Sequence, residues 1–255
     1  MTNAEWDARF PPEGRTSAAR AAIEAERVSL RYQFSTVLNR VDLSVPEGAV
    51  VGLVGRNGAG KSTLLRCLVG LSVPNEGRCA LLGSPSLDLP DTVRERLGYV
   101  SQTPDLFGWL NGEDHLRRIA TLYPRYDERH AIELAVRLDL SLGMRASRLS
   151  VGDQQKLSVV LALAHDPDLL ILDEPVASLD PLARRDFMRA LFERRPDNAA
   201  PRTVLVSSHL LADLERVVSD VVFIRDGTVQ LQGAWDELQE HKGRSLDDLF
   251  AELSA

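Results

Sequence analysis

The run Gly55-Arg56-Asn57-Gly58-Ala59-Gly60-Lys61-Ser62-Thr63 constrains this chain more than any other stretch. It fits G-x-x-x-x-G-K-[ST], a spacing in which glycines let successive backbone N–H groups turn inward around an anion. Such a loop belongs between a buried strand and the start of a helix, and both are legible here. Residues 49–54 are an apolar run that reads as a buried strand. Residues 63–69 read as a helix whose N-terminus faces the anion. Lys61 then reaches the β- and γ-phosphates of a nucleotide, and the Ser62 hydroxyl is placed to ligate Mg²⁺.

Around this unit strands and helices alternate. Residues 23–32 and 37–45 are strand-like, and Pro46-Glu47-Gly48 makes a turn. Short strands are expected at 78–82, 98–101, 169–172, 203–206 and 221–224, with helices over 181–193 and 210–218. This alternation implies an α/β fold on a parallel sheet covered on both faces. Between residues 103 and 158 the character changes. Segments 112–122 and 127–138 carry apolar residues at helical spacing, as an inserted helical subdomain would. Residues 1–21 read as a flexible N-terminal extension, 22–233 as the main domain and 234–255 as a short helical tail.

Two further clusters suit the same chemistry. Residues 169–172 are apolar and lead into Asp173 and Glu174. A buried strand there delivers both acids to the sheet edge that carries the phosphate loop. Asp173 then faces Mg²⁺, and Glu174 faces a water attacking the γ-phosphate. The bland alternative is a strand ending in a polar turn. Leu149-Ser150-Val151-Gly152-Asp153-Gln154 precedes a long apolar helix. Ser150 is a good N-cap, Gly152 leaves its N–H accessible, and a helix start attracts anions. By itself this segment is no more than a capped helix.

In this order the motifs resemble those of ABC-transporter ATPase subunits. Residues 55–63 resemble the Walker A motif, 169–174 the Walker B motif, and 149–154 the signature, usually Leu-Ser-Gly-Gly-Gln. Gln102 resembles the Q-loop glutamine, Ser178-Leu179-Asp180 the D-loop, and His209 the switch histidine. Tyr32 stands where the family has an aromatic ring on adenine. The resemblance covers residues 23–232 and implies a P-loop NTPase. That means a RecA-like parallel sheet core, an antiparallel β-subdomain and an inserted α-helical subdomain.

It also implies an ATPase using ATP and Mg²⁺. Gly55, Arg56, Asn57, Gly58, Ala59, Gly60, Lys61, Ser62 and Thr63 would cradle the phosphates. Ser62, Gln102 and Asp173 would hold the metal, and Glu174, His209 and Gln102 would act in catalysis. The family works as a head-to-tail dimer. Ser150 and Gly152 would then bind the γ-phosphate held by the other subunit, and Asp180 would cross the same interface. Val151 and Asp153 depart from the usual Gly and Gln. Asp153 puts a negative charge near a phosphate, which weakens binding across the dimer unless it points away or pairs with a cation. Lys156, where Arg is common, offers a point charge rather than a fork. The expectation is an active but slow ATPase.

Residues 120–127, 161–167 and 245–250 resemble bacterial ABC-2-type exporter ATPases of the antimicrobial-peptide and bacitracin resistance kind. That implies a separate transmembrane permease, export of a peptide, antibiotic or lipid-like substrate, and a second ATPase subunit, identical or paralogous. The permease would dock around residues 106–110. Phe107 and Trp109 there are either exposed for a partner's helix or core of the insertion. No apolar run reaches the roughly 18 residues of a membrane span, and the N-terminus lacks a signal segment. The chain is expected in the cytoplasm, peripheral on the cytoplasmic face of the cell membrane through its partner.

The two cysteines, Cys67 and Cys79, are too few for a disulfide framework or zinc site and suit a reducing compartment. A net charge of −7 gives no support for nucleic acid as a partner. The alternative function is a soluble or regulatory ABC-type ATPase not engaged in transport. Ribosome-acting members carry two cassettes and DNA-repair members long coiled-coil insertions, and 255 residues with one cassette suit neither.

Overall fold

The computed structural model describes residues 20–33, 35–177, 179, 184, 187–188, 191, 201–208, 214 and 217–242. Ser178, Asp180 and His209 lie outside the described residues, as do residues 243–255 and most of the helices expected over 181–193 and 210–218.

The strands are β1 (Ala21–Tyr32), β2 (Ser35–Pro46), β3 (Val50–Val54), β4 (Glu76–Leu81), β5 (Ser84–Pro85), β6 (Leu97–Val100), β7 (Leu169–Asp173), β8 (Thr203–Ser208), β9 (Asp220–Arg225) and β10 (Thr228–Ala234). The helices are α1 (Lys61–Leu68), α2 (Asp91–Arg94), α3 (Gly112–Ala120), α4 (Glu128–Arg137), α5 (Val151–Leu163) and α6 (Trp235–Lys242). One sheet is antiparallel, in the order β2-β1-β4-β5. The other runs β10-β9-β3-β8-β7-β6 and is parallel except where β10 returns beside β9.

The parallel sheet is covered on both faces, which is why its strands read as unbroken apolar runs. In β7, Leu169 and Ile171 face the core shared with α1 and the antiparallel sheet. Leu170 and Leu172 face the core shared with α4 and α5. The same alternation splits Leu205 from Val204 and Val206, and Val222 from Val221 and Phe223. Truncating a fully buried residue such as Ile171 to alanine costs about 2–5 kcal/mol on this account.

Between β6 and β7 lie α3, α4 and α5, each started by the side chain the sequence supplies. Asn111 accepts from Asp114 N–H at 2.8 Å, Asp127 from His130 N–H at 3.0 Å, and Ser150 from Asp153 N–H at 3.1 Å. The expected edge of the insertion at residue 158 falls inside α5, whose buried Leu157, Val160 and Leu163 keep the helix packed onto the sheet. β5 and β10 were not legible. β5 has two residues, and β10 interrupts its apolar positions with Gln230 and Gln232.

Candidate nucleotide site

The loop between β3 and α1 bends through left-handed backbone at Gly58 (φ 84°) and Gly60 (φ 104°), which glycine adopts without a steric penalty. A Cβ on Gly55 would stand 2.4 Å from the Ile224 carbonyl oxygen, so the loop presses on β9 with no room for a side chain. Gly227 N–H donates to the Ala59 carbonyl at 3.0 Å and fixes the loop from the β9–β10 turn. α1 has no acidic residue in its first turn and no side-chain cap, so its positive end faces the loop uncompensated by its own sequence.

β8 lies between β3 and β7, with Ser208 opposite Val54 and Ser207 opposite Asp173. The phosphate loop and the acidic pair therefore emerge at one edge. The buried Lys61 Nζ donates to the carbonyls of Gly55 at 2.7 Å and Arg56 at 3.3 Å, and lies 3.2 Å from Glu174 Oε1. Glu174 itself has φ 47°, a left-handed backbone conformation that costs a residue with a Cβ. Its N–H donates to Ser207 Oγ at 2.9 Å, and the Ser207 hydroxyl donates to Asp173 Oδ1 at 2.7 Å. One hydroxyl thus positions both acids. No local motif marks Ser207, although a polar residue within a wholly buried strand must find partners.

A cavity of about 610 Å³ opens beside this edge, and Ser62, Gln102 and Asp173 all line it. Tyr99 is another of its walls. Burial pushes its hydroxyl up to about 12, with the Asp173 charge adding to the effect. At the far end His165 stacks on Tyr123 with ring centroids 4.0 Å apart. Burial pushes His165 down to about 4, against the opposing pull of its hydrogen bond with the Leu97 carbonyl at 3.2 Å. A second cavity of about 290 Å³ is bounded by the phosphate loop from Gly55 to Ala59 and by Phe223, Asp226 and Gln230.

Tyr32 ends β1 with its side chain about half exposed. The start of β2 is close to the phosphate loop, since a Cβ on Gly60 would stand 2.9 Å from the Val37 carbonyl oxygen. Tyr32 pairs with Ser35 at that end of the hairpin. Ser150 and Gly152 line neither cavity. Val151 is 59% exposed and faces outward. Asp153 pairs with Lys156 Nζ at 3.2 Å and also accepts the Ser150 hydroxyl at 2.7 Å. Gln155, which the sequence reading did not single out, is buried and donates to the Ser101 carbonyl at 3.4 Å, tying α5 to the residue before Gln102.

Of the two readings of residues 106–110, the exposed one holds for the aromatics. Phe107 and Trp109 are 54% and 68% exposed, with rings 5.1 Å apart, while Leu110 is buried. The buried His115 fixes this loop. Its Nε2 accepts from Phe107 N–H at 3.1 Å, and its Nδ1 lies 2.7 Å from the Asn111 carbonyl. Cys67 and Cys79 are buried free thiols, pushed up to about 11 and about 12 by burial.

The family described as ABC transporter matches residues 38–177. The chain is 33% identical over 231 residues to the ABC-type transporter ATP-binding protein EcsA of Bacillus subtilis, covering 88% of this chain and 92% of that one. It is 32% identical over 208 residues to the bacitracin transport ATP-binding protein BcrA of Enterococcus faecalis, covering 80% of this chain and 67% of that one. A solved ATP-binding subunit of an ABC transporter superposes with a TM-score of 0.81 at 33% identity, over 92% of this chain and all of that one. The dimeric bacterial ABC transporter cassette MJ0796 superposes with a TM-score of 0.74 at 25% identity, over 84% and 98% of the two chains. Phosphate loop, acidic strand end and matched sequence agree, and the chain belongs to the ABC transporter family as an ATP-binding, ATP-hydrolysing subunit.

Proposed function

We propose that this chain drives export through a separate transmembrane permease, closing head-to-tail with a second ATPase subunit on ATP and Mg²⁺ and opening after hydrolysis. One observation carries the proposal. Lys61, Glu174, Asp173 and Ser207 meet at a single sheet edge, beside a cavity that Ser62 and Gln102 also line. The donor set fits Mg²⁺: a hydroxyl, an amide and one carboxylate are all oxygen donors, few enough to leave positions for water and phosphate. Residues 55–63 hold the phosphates, and Tyr32 offers its exposed ring to adenine. Bound Mg²⁺ neutralises charge developing on the phosphates. Glu174 polarises the attacking water, with Gln102 and His209 completing the set.

Ser150, Gly152 and Asp180 belong to the wall that the second subunit presents, in keeping with Ser150 and Gly152 lining neither of the two cavities described above. The dimeric state of the MJ0796 cassette supports the pairing of two such subunits. Permease docking falls to Phe107 and Trp109, two exposed aromatics on a loop anchored by Leu110 and His115. None of the described helices is long and apolar enough to cross a membrane. Attachment to the cytoplasmic face through the permease is part of the same proposal. The bacitracin relative favours an antibiotic or peptide cargo.

The test is purification of the chain from membranes with its bound protein, followed by ATP turnover. A co-purifying multi-span protein, and turnover abolished by Glu174→Gln, are expected. Turnover unchanged by Glu174→Gln would overturn the catalytic assignment, and an active chain that never associates with a membrane protein would favour the non-transport alternative.

A further inference from the structure

The start of α5 already holds an anion of its own. Ser150 Oγ accepts from Asp153 N–H at 3.1 Å, and its hydroxyl proton goes to Asp153 Oδ2 at 2.7 Å. A hydroxyl has one proton to give, so Ser150 is committed in both directions to one residue. The bond to a carboxylate is charge-assisted and stronger than one to a neutral acceptor. The other carboxylate oxygen is held by Lys156 Nζ at 3.2 Å, and the Lys156 side chain is only 14% exposed. The Lys156 cation is therefore engaged by Asp153 as well. The carboxylate sits in the first turn, where it compensates the positive end of the helix.

We propose that Asp153 is a positioning residue that competes with the γ-phosphate for Ser150, and so sets how much ATP is needed to close two subunits. This rests on the reading of α5 as the wall one subunit presents to the other's nucleotide. The observation separates two outcomes left open by the sequence. Pairing with a cation does not remove the cost of Asp153, because the same carboxylate also takes the Ser150 proton. Closure requires the Asp153 side chain to release Ser150 and withdraw with Lys156. A neutral side chain, such as the one-methylene-longer glutamine, removes the like charge from the phosphate's path. Glutamine at this position of the first turn also still suits a capping box with Ser150, so the helix start survives the change.

The test uses the full chain in a Glu174→Gln background, with Mg²⁺, reading the ATP concentration for half-maximal dimer by light scattering after gel filtration. Asp153→Gln is expected to lower that concentration about tenfold, the scale of one charge-assisted hydrogen bond. Asp153→Glu keeps the charge and leaves it within about twofold of the parent on the same reasoning. Lys156→Met strips the carboxylate of its cation and raises the requirement. Binding of a fluorescent ATP analogue to the monomer, which reads the phosphate loop alone, stays constant across the series. An Asp153→Gln chain that needs as much ATP as the parent, or more, overturns the inference. A Glu174→Gln parent and variants that never dimerise on ATP overturn the reading of α5 beneath it, and the inference with it.

Discussion

Lys61 Nζ and Glu174 Oε1 stand 3.2 Å apart, with both side chains more than nine-tenths buried. The cation proposed to meet phosphate is thus paired with the carboxylate proposed to polarise water. Removing one member of a buried pair strands the other charge, at about 3–5 kcal/mol. Lys61→Met should lower the free energy of unfolding in urea by about 3 kcal/mol. Adding Glu174→Gln should restore at least half of that loss. A double variant no more stable than Lys61→Met would show that the two groups are not coupled.

The same pair predicts opposite effects on binding and turnover. On the proposed function, Glu174→Gln removes a negative charge from beside the phosphates and frees Lys61 to meet them. ATP affinity by calorimetry should rise, while turnover falls by about 10²–10⁴, the usual worth of a general base. Weaker ATP binding in Glu174→Gln would mean that the carboxylate supports nucleotide rather than competing with it for Lys61.

Ser207 supports both acids and should behave as a conductor of geometry. Ser207→Ala leaves the Glu174 N–H without its acceptor and Asp173 without a donor. An unsatisfied buried group costs about 1–3 kcal/mol. We expect a lower thermal midpoint, reduced kcat and a higher Mg²⁺ requirement, with Ser207→Thr recovering most of each. A drop in stability alone, with kcat and Mg²⁺ dependence unmoved, would reduce Ser207 to a structural role.

What the sequence revealed and what it hid follow one rule. Phosphate loop, acidic strand end and signature were legible because their spacing is set by local backbone: a turn between strand and helix, a strand delivering two acids, a helix cap. The parallel strands were legible because burial on both faces leaves continuous apolar runs. Ser207 and Gln155 were hidden because their partners are distant in sequence, and only the sheet order β3-β8-β7 places Ser207 beside Asp173. The status of Phe107 and Trp109 was hidden for a similar reason. An aromatic loop carries no periodicity, and exposure was decided by His115 holding the backbone from a neighbouring helix. For Asp153 the sequence offered two outcomes, and the structure realises the cationic pairing together with a second contact no spacing announces.

Trp109 is 68% exposed, so its removal should cost the isolated chain no more than about 0.5 kcal/mol. Trp109→Ala should also leave ATP binding intact, because Trp109 lines neither cavity. Its effect is expected in assembly, as a sharp fall in the permease recovered with the chain from membranes, since exposed aromatic anchors carry much of an interface's energy. Full recovery of the permease with Trp109→Ala and Phe107→Ala combined would place the docking surface elsewhere.

His165 gives the fold a directional dependence on pH. Burial holds its ring down to about 4, against an ordinary 6.5, with Arg125 and Arg202 pushing the same way and the Leu97 hydrogen bond and Asp166 opposing. The unfolded chain therefore takes up this proton at a higher pH than the folded one. Stability from keeping the ring neutral is full above pH 6.5, and it is lost as pH falls toward 4, where the native ring itself protonates. The loss between pH 7 and pH 5 should be about 2 kcal/mol. Carboxylates titrate in the same range, so the informative quantity is the difference between the parent and His165→Phe, which keeps a ring against Tyr123. Urea unfolding at pH 7, 6 and 5 should show the parent losing more stability than His165→Phe by that amount. Parallel pH curves for the two proteins would mean that His165 is protonated in the native state at the same pH as in the unfolded chain.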